Sequence, residues 1–229
     1  MESIRMNKLL FFCILLLSVS CKKQEDAPDM GYSYFGLIPG RYVDYDVMEI
    51  DHDITQFIQH DTMRYQLRTV IGDTIVDNSG RIARRFYRYK RQNTNENWSF
   101  SDLYTAIVEG NRAEIVEENQ RVIKLVFAVS KDNEWNMNAF NLGPNLTCNY
   151  INIGLPFQIN NLSFSETVRV EQEDFTNSFV DFRRKHETYA KDVGLIQKYY
   201  KDLKINNKDS LNIKSGKELF YNCIGYGMQ

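Results

Sequence analysis

The 229-residue sequence carries 28 basic and 30 acidic side chains, four cysteines and 13% aromatic residues. The near balance of charge excludes a strongly polyanion-binding protein, and the length suits one all-β domain or, less readily, two small ones. The first element is the apolar run 9–19, preceded by Arg5 and Lys8. Crossing a bilayer takes roughly 20 apolar residues, so the run is too short to span and fits a secretory signal peptide over residues 1–20. No second long apolar segment follows, so no membrane-spanning helix is expected.

Leu17-Ser18-Val19-Ser20-Cys21 places small residues directly before a cysteine. This resembles a bacterial lipobox, with Ser18 where leucine is usual. The resemblance implies that Cys21 receives a diacylglyceryl group and becomes the mature N-terminus. The alternative is ordinary secretion with a free cysteine. Each buried methylene contributes about 0.8 kcal/mol, and two or more acyl chains anchor firmly where one holds only marginally. Loss of residues 1–20 removes Glu2, Arg5 and Lys8, leaving 26 basic and 29 acidic groups. Residues 21–33 are expected to be the lipidated cysteine and a flexible tether, and 34–229 the folded domain. Gln24-Glu25-Asp26 resembles the surface-export signals of Bacteroidetes-type lipoproteins, which leaves both the periplasmic face of the outer membrane and the cell surface open. With Cys13 in the signal peptide and Cys21 acylated, Cys148 and Cys223 remain. They are either a disulfide or two separate buried thiols. A metal site on them is not expected, since there is no C-x-x-C and no nearby histidine.

The body reads as strands. In 62–71, "TMRYQLRTVI", Met63, Tyr65, Leu67, Thr69 and Ile71 fall on one face and Thr62, Arg64, Gln66 and Arg68 on the other, the period-two pattern of a half-buried strand. Comparable stretches occur at 41–50, 81–91, 102–108, 113–118, 121–127, 164–171, 179–189, 195–205 and 217–224, divided by turn chemistry such as Asp77-Asn78-Ser79-Gly80 and Gly110-Asn111. The expectation is a mainly antiparallel all-β domain, with at most a short helix over 183–192. The segment 128–161, rich in Asn, Gly and Pro, is expected to be a long loop. It is either a covering lid or a surface connection whose Trp135, Phe140 and Phe157 plug the open end of the sheet. In "YAKDVGLIQKYYKDL", Gly194 is expected at a turn or bulge with φ > 0, followed by a strand with Leu195, Gln197, Tyr199, Lys201 and Leu203 toward the core and Lys198 toward solvent.

Two stretches resemble a known kind of domain. "YFGLIPGRYVDY" at 34–45 is similar to the Y-F-P-L-x-x-G-x-x-W-x-Y opening of exported bacterial domains of the TapB-like type, through Tyr34, Phe35, Leu37, Gly40 and Tyr45. Gly36 stands where that pattern has proline and Val43 where it has tryptophan. "YAKDVGLIQ" at 189–197 resembles their Y-A-x-x-V-G-x-I turn, through Tyr189, Ala190, Val193, Gly194 and Ile196. The resemblance implies a single strongly curved antiparallel sheet, a half-barrel or open barrel like that of lipoprotein carriers, and no catalytic residues.

None of the strong catalytic patterns is present: no H-E-x-x-H, G-x-S-x-G, Walker loop or G-x-G-x-x-G. No enzyme activity, cofactor or metal is therefore expected. His52 and His60, with Asp51, Asp53 and Asp61, could form a metal loop, but 51–61 reads as an exposed connection. The basic run 81–91, "RIARRFYRYKR", holds six cationic groups. Away from nucleic acid it reads as cross-strand ion pairing with Glu114, Glu117 and Glu118, or as contact with acidic headgroups or polysaccharide. Asp61-Thr62-Met63, Asp73-Thr74-Ile75 and Asp209-Ser210-Leu211 resemble the O-glycosylation tripeptides of Bacteroidetes-type exported proteins. Two functions remain. One is a non-catalytic envelope lipoprotein, membrane-attached through Cys21, that binds an apolar or lipidic ligand. The other is a structural or interaction subunit of an envelope assembly. An apolar cavity would favour the first, and a filled core with an exposed apolar patch the second.

Overall fold

The computed structural model describes residues 28–229. The signal-peptide and Cys21 assignments lie outside the described residues. Twelve strands follow one another: β1 (Arg41–Asp53), β2 (His60–Val76), β3 (Ile82–Arg91), β4 (Ser99–Glu109), β5 (Arg112–Glu117), β6 (Gln120–Val126), β7 (Glu134–Asn136), β8 (Thr147–Ile159), β9 (Leu162–Phe175), β10 (Asp181–Ala190), β11 (Gly194–Asn206) and β12 (Asp209–Met228). They form one antiparallel sheet in the order β6-β5-β4-β3-β2-β1-β12-β11-β10-β9-β8-β7, nearly closed into a barrel with one unsealed seam. Each half is a six-strand meander, and the first and last strands join the halves along a ladder running from Arg41–Met228 to Asp53–Ser215. The ten segments read as strands from alternation all lie on strands. β7 and β8 fall inside 128–161, where a loop was expected, and 183–192 belongs to β10 and its turn, not a helix.

The seam lies between β6 and β7, the two edges of the sheet. Unpaired edge groups cost free energy when buried and invite foreign strands when exposed. Here side chains supply most of the missing partners. The Tyr150 hydroxyl accepts from Val126 N–H at 2.7 Å and donates to Val126 C=O at 2.8 Å, doing for β6 what a neighbouring peptide group would do. Trp135 Nε1 donates to Ile123 C=O at 3.1 Å, Ile123 N–H donates to Met137 C=O at 3.0 Å, and Asn141 Nδ2 donates to Arg121 C=O at 2.8 Å. Trp135 and Tyr150 are both buried, with ring centroids 4.8 Å apart. Around them Ala106, Leu125, Phe127, Cys148, Val168 and Val170 form the first core. Trp135 is thus a seam residue, while Phe140 remains exposed.

The end at which β1 begins, the base, is covered from two directions. A 3-10 turn at Tyr32–Tyr34 sends Tyr34 and Phe35 into the first core. Folded structure begins before residue 34: Met30 C=O accepts from Val129 N–H, and Asp29 meets Lys191 at 3.1 Å, so 29–33 is part of the packed domain, not tether. From the other side, the β8–β9 hairpin runs past its last pairing with β10 (Thr167–Ala190) to reach β12. Asn160 Nδ2 donates to Cys223 C=O at 2.8 Å, and the Phe164 ring lies 5.5 Å from that of Tyr226. The register break between Ile151 and Leu155, with Asn152 and Gly154 in the left-handed region, supplies the bend. The second core, holding Val43, Tyr45, Leu67, Ile159, Phe164, Ile196 and Cys223, closes beneath it. Cys148 and Cys223 therefore sit in different cores. Both are free buried thiols, and no bridge joins them.

The two motif regions at the chain's extremes meet at this base. Asp192 N–H donates to Ser33 C=O, and Tyr45 Oη donates to Leu195 C=O at 2.7 Å. Gly194 adopts φ +102° where the chain re-enters the sheet, as the sequence predicts. Gly216 is tighter. It has φ +127°, and a Cβ there would lie 2.2 Å from Asp202 C=O.

Two stability predictions follow from these contacts. Tyr150→Phe keeps the packing but leaves both Val126 groups unpaired, so it is expected to cost about 1–3 kcal/mol in urea melts. Gly216→Ala is expected to cost more than Gly194→Ala, because it adds a backbone collision to a positive φ. Strain alone accounts for about 1–3 kcal/mol at each site. Equal effects would place the collision elsewhere.

Candidate functional site

The lumen is not filled. It encloses a cavity of about 710 Å³, within the roughly 300–1,000 Å³ typical of ligand sites. Val43, Tyr45, Leu67, Ile71, Phe86 and Leu219 give it apolar walls. The alternation read in 62–71 holds here, since Leu67, Thr69 and Ile71 all point inward. Phe35, Leu37 and the Val193–Gly194 turn border it at the base. The β5–β6 turn and the 137–146 loop, through Asn138, Asn141 and Leu142, border it at the opposite rim. The stretch expected as one long loop thus provides a short rim loop.

Charged groups enter this lumen in two arrangements. In the first, Lys124 from β6 reaches Glu187 of β10 at 3.3 Å and Glu117 of β5 at 3.4 Å, an ion bridge between non-neighbouring strands across the seam side of the lumen. Lys198 stands 4.0 Å from Glu187, and Tyr189 Oη donates to Glu187 at 2.6 Å. Burial alone would raise the Glu187 pKa, but Lys124, then Lys198 and the Tyr189 hydroxyl, outweigh it and hold the carboxyl below its ordinary value. Burial likewise opposes the Lys124 charge, and the two glutamates reverse it, so its pKa is raised. Glu117 is lowered chiefly by Lys124. Lys198 therefore belongs to the lumen; the solvent-facing position expected for it does not hold. The β10–β11 register shift between Thr188 and Tyr189, opposite Leu195 and Gln197, is the physical reason: an extra residue inverts which side chains of β11 point inward.

The second arrangement is cationic and lacks an acid. Arg88 of β3 donates from Nη1 to Tyr104 Oη at 2.7 Å and from Nη2 to Tyr221 Oη at 3.1 Å. Among the described residues no carboxylate lies within ion-pair distance of it. Burial works against the Arg88 charge, and the Tyr221 and Tyr104 oxygens more than offset that, so its pKa moves up. Arg41 lines the same cavity, and its Nη1 is buried without a hydrogen-bond partner. The register Arg88–Thr69–Val43 puts Arg41 two residues along β1 from the row that holds Arg88.

The basic run 81–91 therefore divides. Arg81 pairs with the buried Glu114 at 3.2 Å, one of the three acids expected for the run, and with Asp77 at 2.7 Å across its own turn, while Arg85 pairs with Asp73 of β2. Arg88 alone turns into the lumen without an acid, whereas Glu117 pairs with Lys124. The 51–61 stretch is the largely exposed connection expected, except at His52. His52 is buried, its Nδ1 lies 2.8 Å from His60 Nδ1 and its Nε2 lies 3.1 Å from Glu218 Oε1. A proton on Nε2 facing the carboxylate leaves Nδ1 to accept from His60. Lys201 completes the row 2.7 Å from Glu218. Among the described residues no cluster of three metal-ligating groups occurs. His186 stacks on Tyr199, and burial, with Arg169 and Arg184, holds its pKa down to about 4. Thr62, Thr74 and Ser210 of the glycosylation-like tripeptides are all exposed.

Sequence reasoning did not find Lys124 or Glu187. A signal existed in "VIKLVF", residues 122–127, where one lysine interrupts an apolar run, a position that burial tolerates only with a partner. Its partner, about sixty residues away, has no local mark. The chain matches no protein-family model, no curated protein and no solved structure, so the site alone carries the functional argument.

Lys124→Met leaves Glu187 with a weaker partner and is expected to destabilise by about 3–5 kcal/mol, while Lys124→Met/Glu187→Gln recovers most of the loss. Because the folded Glu187 and Glu117 pKa values lie below ordinary, their contribution is present above about pH 4.3 and lost as pH falls through the folded values. Urea melts across pH 3–7 should show a shallower acid decline for Glu187→Gln than for the wild type.

Proposed function

We propose that this protein is a non-catalytic cell-envelope lipoprotein of TapB-like type, acylated at Cys21, that binds an apolar or lipidic ligand inside its barrel. The observation that carries the reading is the 710 Å³ lumen, walled by aliphatic and aromatic side chains and bordered by the base segments and the rim loop. The apolar part of these walls favours a hydrocarbon guest, because burying each methylene contributes about 0.8 kcal/mol. The lipobox-like Leu17–Cys21 stretch supports placement at a membrane, on the periplasmic face or the cell surface, beside a source of such ligands.

A second reading, an interaction subunit with a protein partner in an envelope assembly, is favoured by the rim. The β1–β2 turn meets the start of β12 there, through Ile54 N–H to Lys214 C=O, and the β9–β10 turn meets the β11–β12 turn, through Lys208 N–H to Phe179 C=O, both at 3.0 Å. They display Phe57, Ile58, Leu211 and Phe179 to solvent.

Native mass spectrometry of the protein purified from its host is expected to show a lipid-sized adduct besides the anchor. A species carrying only the anchor, or a protein partner in its place, would move the assignment to the second reading. Metabolic labelling with an alkyne fatty acid should tag the wild type and miss Cys21→Ser.

A further inference from the structure

The ligand's polar end has a place as well. Lys124 and Lys198 are answered by Glu117 and Glu187, but Arg88 and Arg41 line the same cavity with no acid among the described residues to answer them. A cation kept in an apolar lumen without a counter-charge costs free energy unless an anion occupies the site when the protein works. The donors point the same way. Arg88 spends one hydrogen bond from each terminal nitrogen on Tyr104 and Tyr221, which leaves its remaining N–H groups unassigned. The two hydroxyls act there as acceptors, and their own hydrogens have no acceptor among the described residues. Arg41 Nη1, buried and unpartnered, adds a further donor. Among the described residues the one further acid lining the cavity, Glu118, sits on the β5–β6 turn at the rim.

We infer that Arg88, flanked by the Tyr104 and Tyr221 hydroxyls and by Arg41, holds the carboxylate of a single-chain amphiphile, a long-chain fatty acid, whose hydrocarbon tail fills the apolar part of the lumen. The planar guanidinium matches a planar carboxylate in a bidentate pair, and the phenols can donate to its outer lone pairs. The salt-bridged group around Lys124 is internally neutralised and offers no comparable vacancy of charge. This inference rests on the ligand-binding reading above and specifies which guest the lumen selects.

The test uses the full chain in its own membranes with two photoactivatable probes of equal length, a diazirine hexadecanoic acid and the matching diazirine hexadecanol. Crosslinks are mapped by peptide mass spectrometry to lumen-lining strands β3, β5 and β6. The acid is expected to label these peptides at least tenfold more than the alcohol at equal concentration. Arg88→Met should lower acid labelling to the level of the alcohol, Arg88→Lys should retain part of the preference, and Tyr104→Phe/Tyr221→Phe should reduce it. Persisting alcohol labelling in each variant reports an intact lumen. Equal labelling of the wild type by both probes would overturn the carboxylate assignment and leave the apolar-ligand reading standing. Absence of lumen labelling by either probe would overturn that reading itself. Because the wild-type ratio is decisive alone, a variant that fails to fold does not rescue the inference.

Discussion

The fold depends on how two strand edges are satisfied where no ladder joins them. β6 and β7 meet at the only seam of a twelve-strand sheet, and every backbone group left over there is either buried and costly or exposed and adhesive. Side chains from the far side of the seam take up that role, chiefly the Tyr150 hydroxyl, which both donates to and accepts from Val126. Trp135 does the same for the Ile123 carbonyl while its indole fills the first core. Polar satisfaction and hydrophobic burial are thus carried by the same two aromatic residues. If the seam opened, the lumen would lose a wall.

The lumen inherits its chemistry from that closure. Bringing β6 within reach of β10 places Lys124 against Glu187, and a buried pair of this kind is a weak source of net stability but a strong constraint on geometry, because either partner alone is heavily penalised. The pair fixes how far apart the walls stand. The charged groups that β1 to β3 bring to the cavity are Arg41 and Arg88, and Tyr221, which binds Arg88, also lies 5.6 Å from Lys198 Nζ, so the two arrangements adjoin.

The base shows the same economy of elements. The N-terminal segment and the β10–β11 turn, far apart in the chain, pack together through Ser33, Asp192, Tyr45 and Leu195. The β8–β9 hairpin, bent at Asn152 and Gly154, reaches β12 over them. Two buried thiols, Cys148 and Cys223, serve these two cores as small apolar groups, each with its pKa pushed up to about 12 chiefly by burial.

The sequence by itself determined the class of the fold, because period-two alternation is a local property of the pleat: strands such as β2 announce their buried face in Leu67, Thr69 and Ile71. It also marked Gly194, since a positive φ is a demand on a single residue. It could not place β7 and β8, whose Asn, Gly and Pro content reads as loop although pairing across 147–159 overrides that preference. Nor could it decide the face of Lys198, because one extra residue at the Thr188–Tyr189 register shift inverts the pattern. The separation of Cys148 from Cys223, the burial of His52, and the meeting of Lys124 with Glu187 are likewise products of sheet closure. Which cations lie unanswered in the lumen is decided by distances between strands, and those exist only once the barrel has formed.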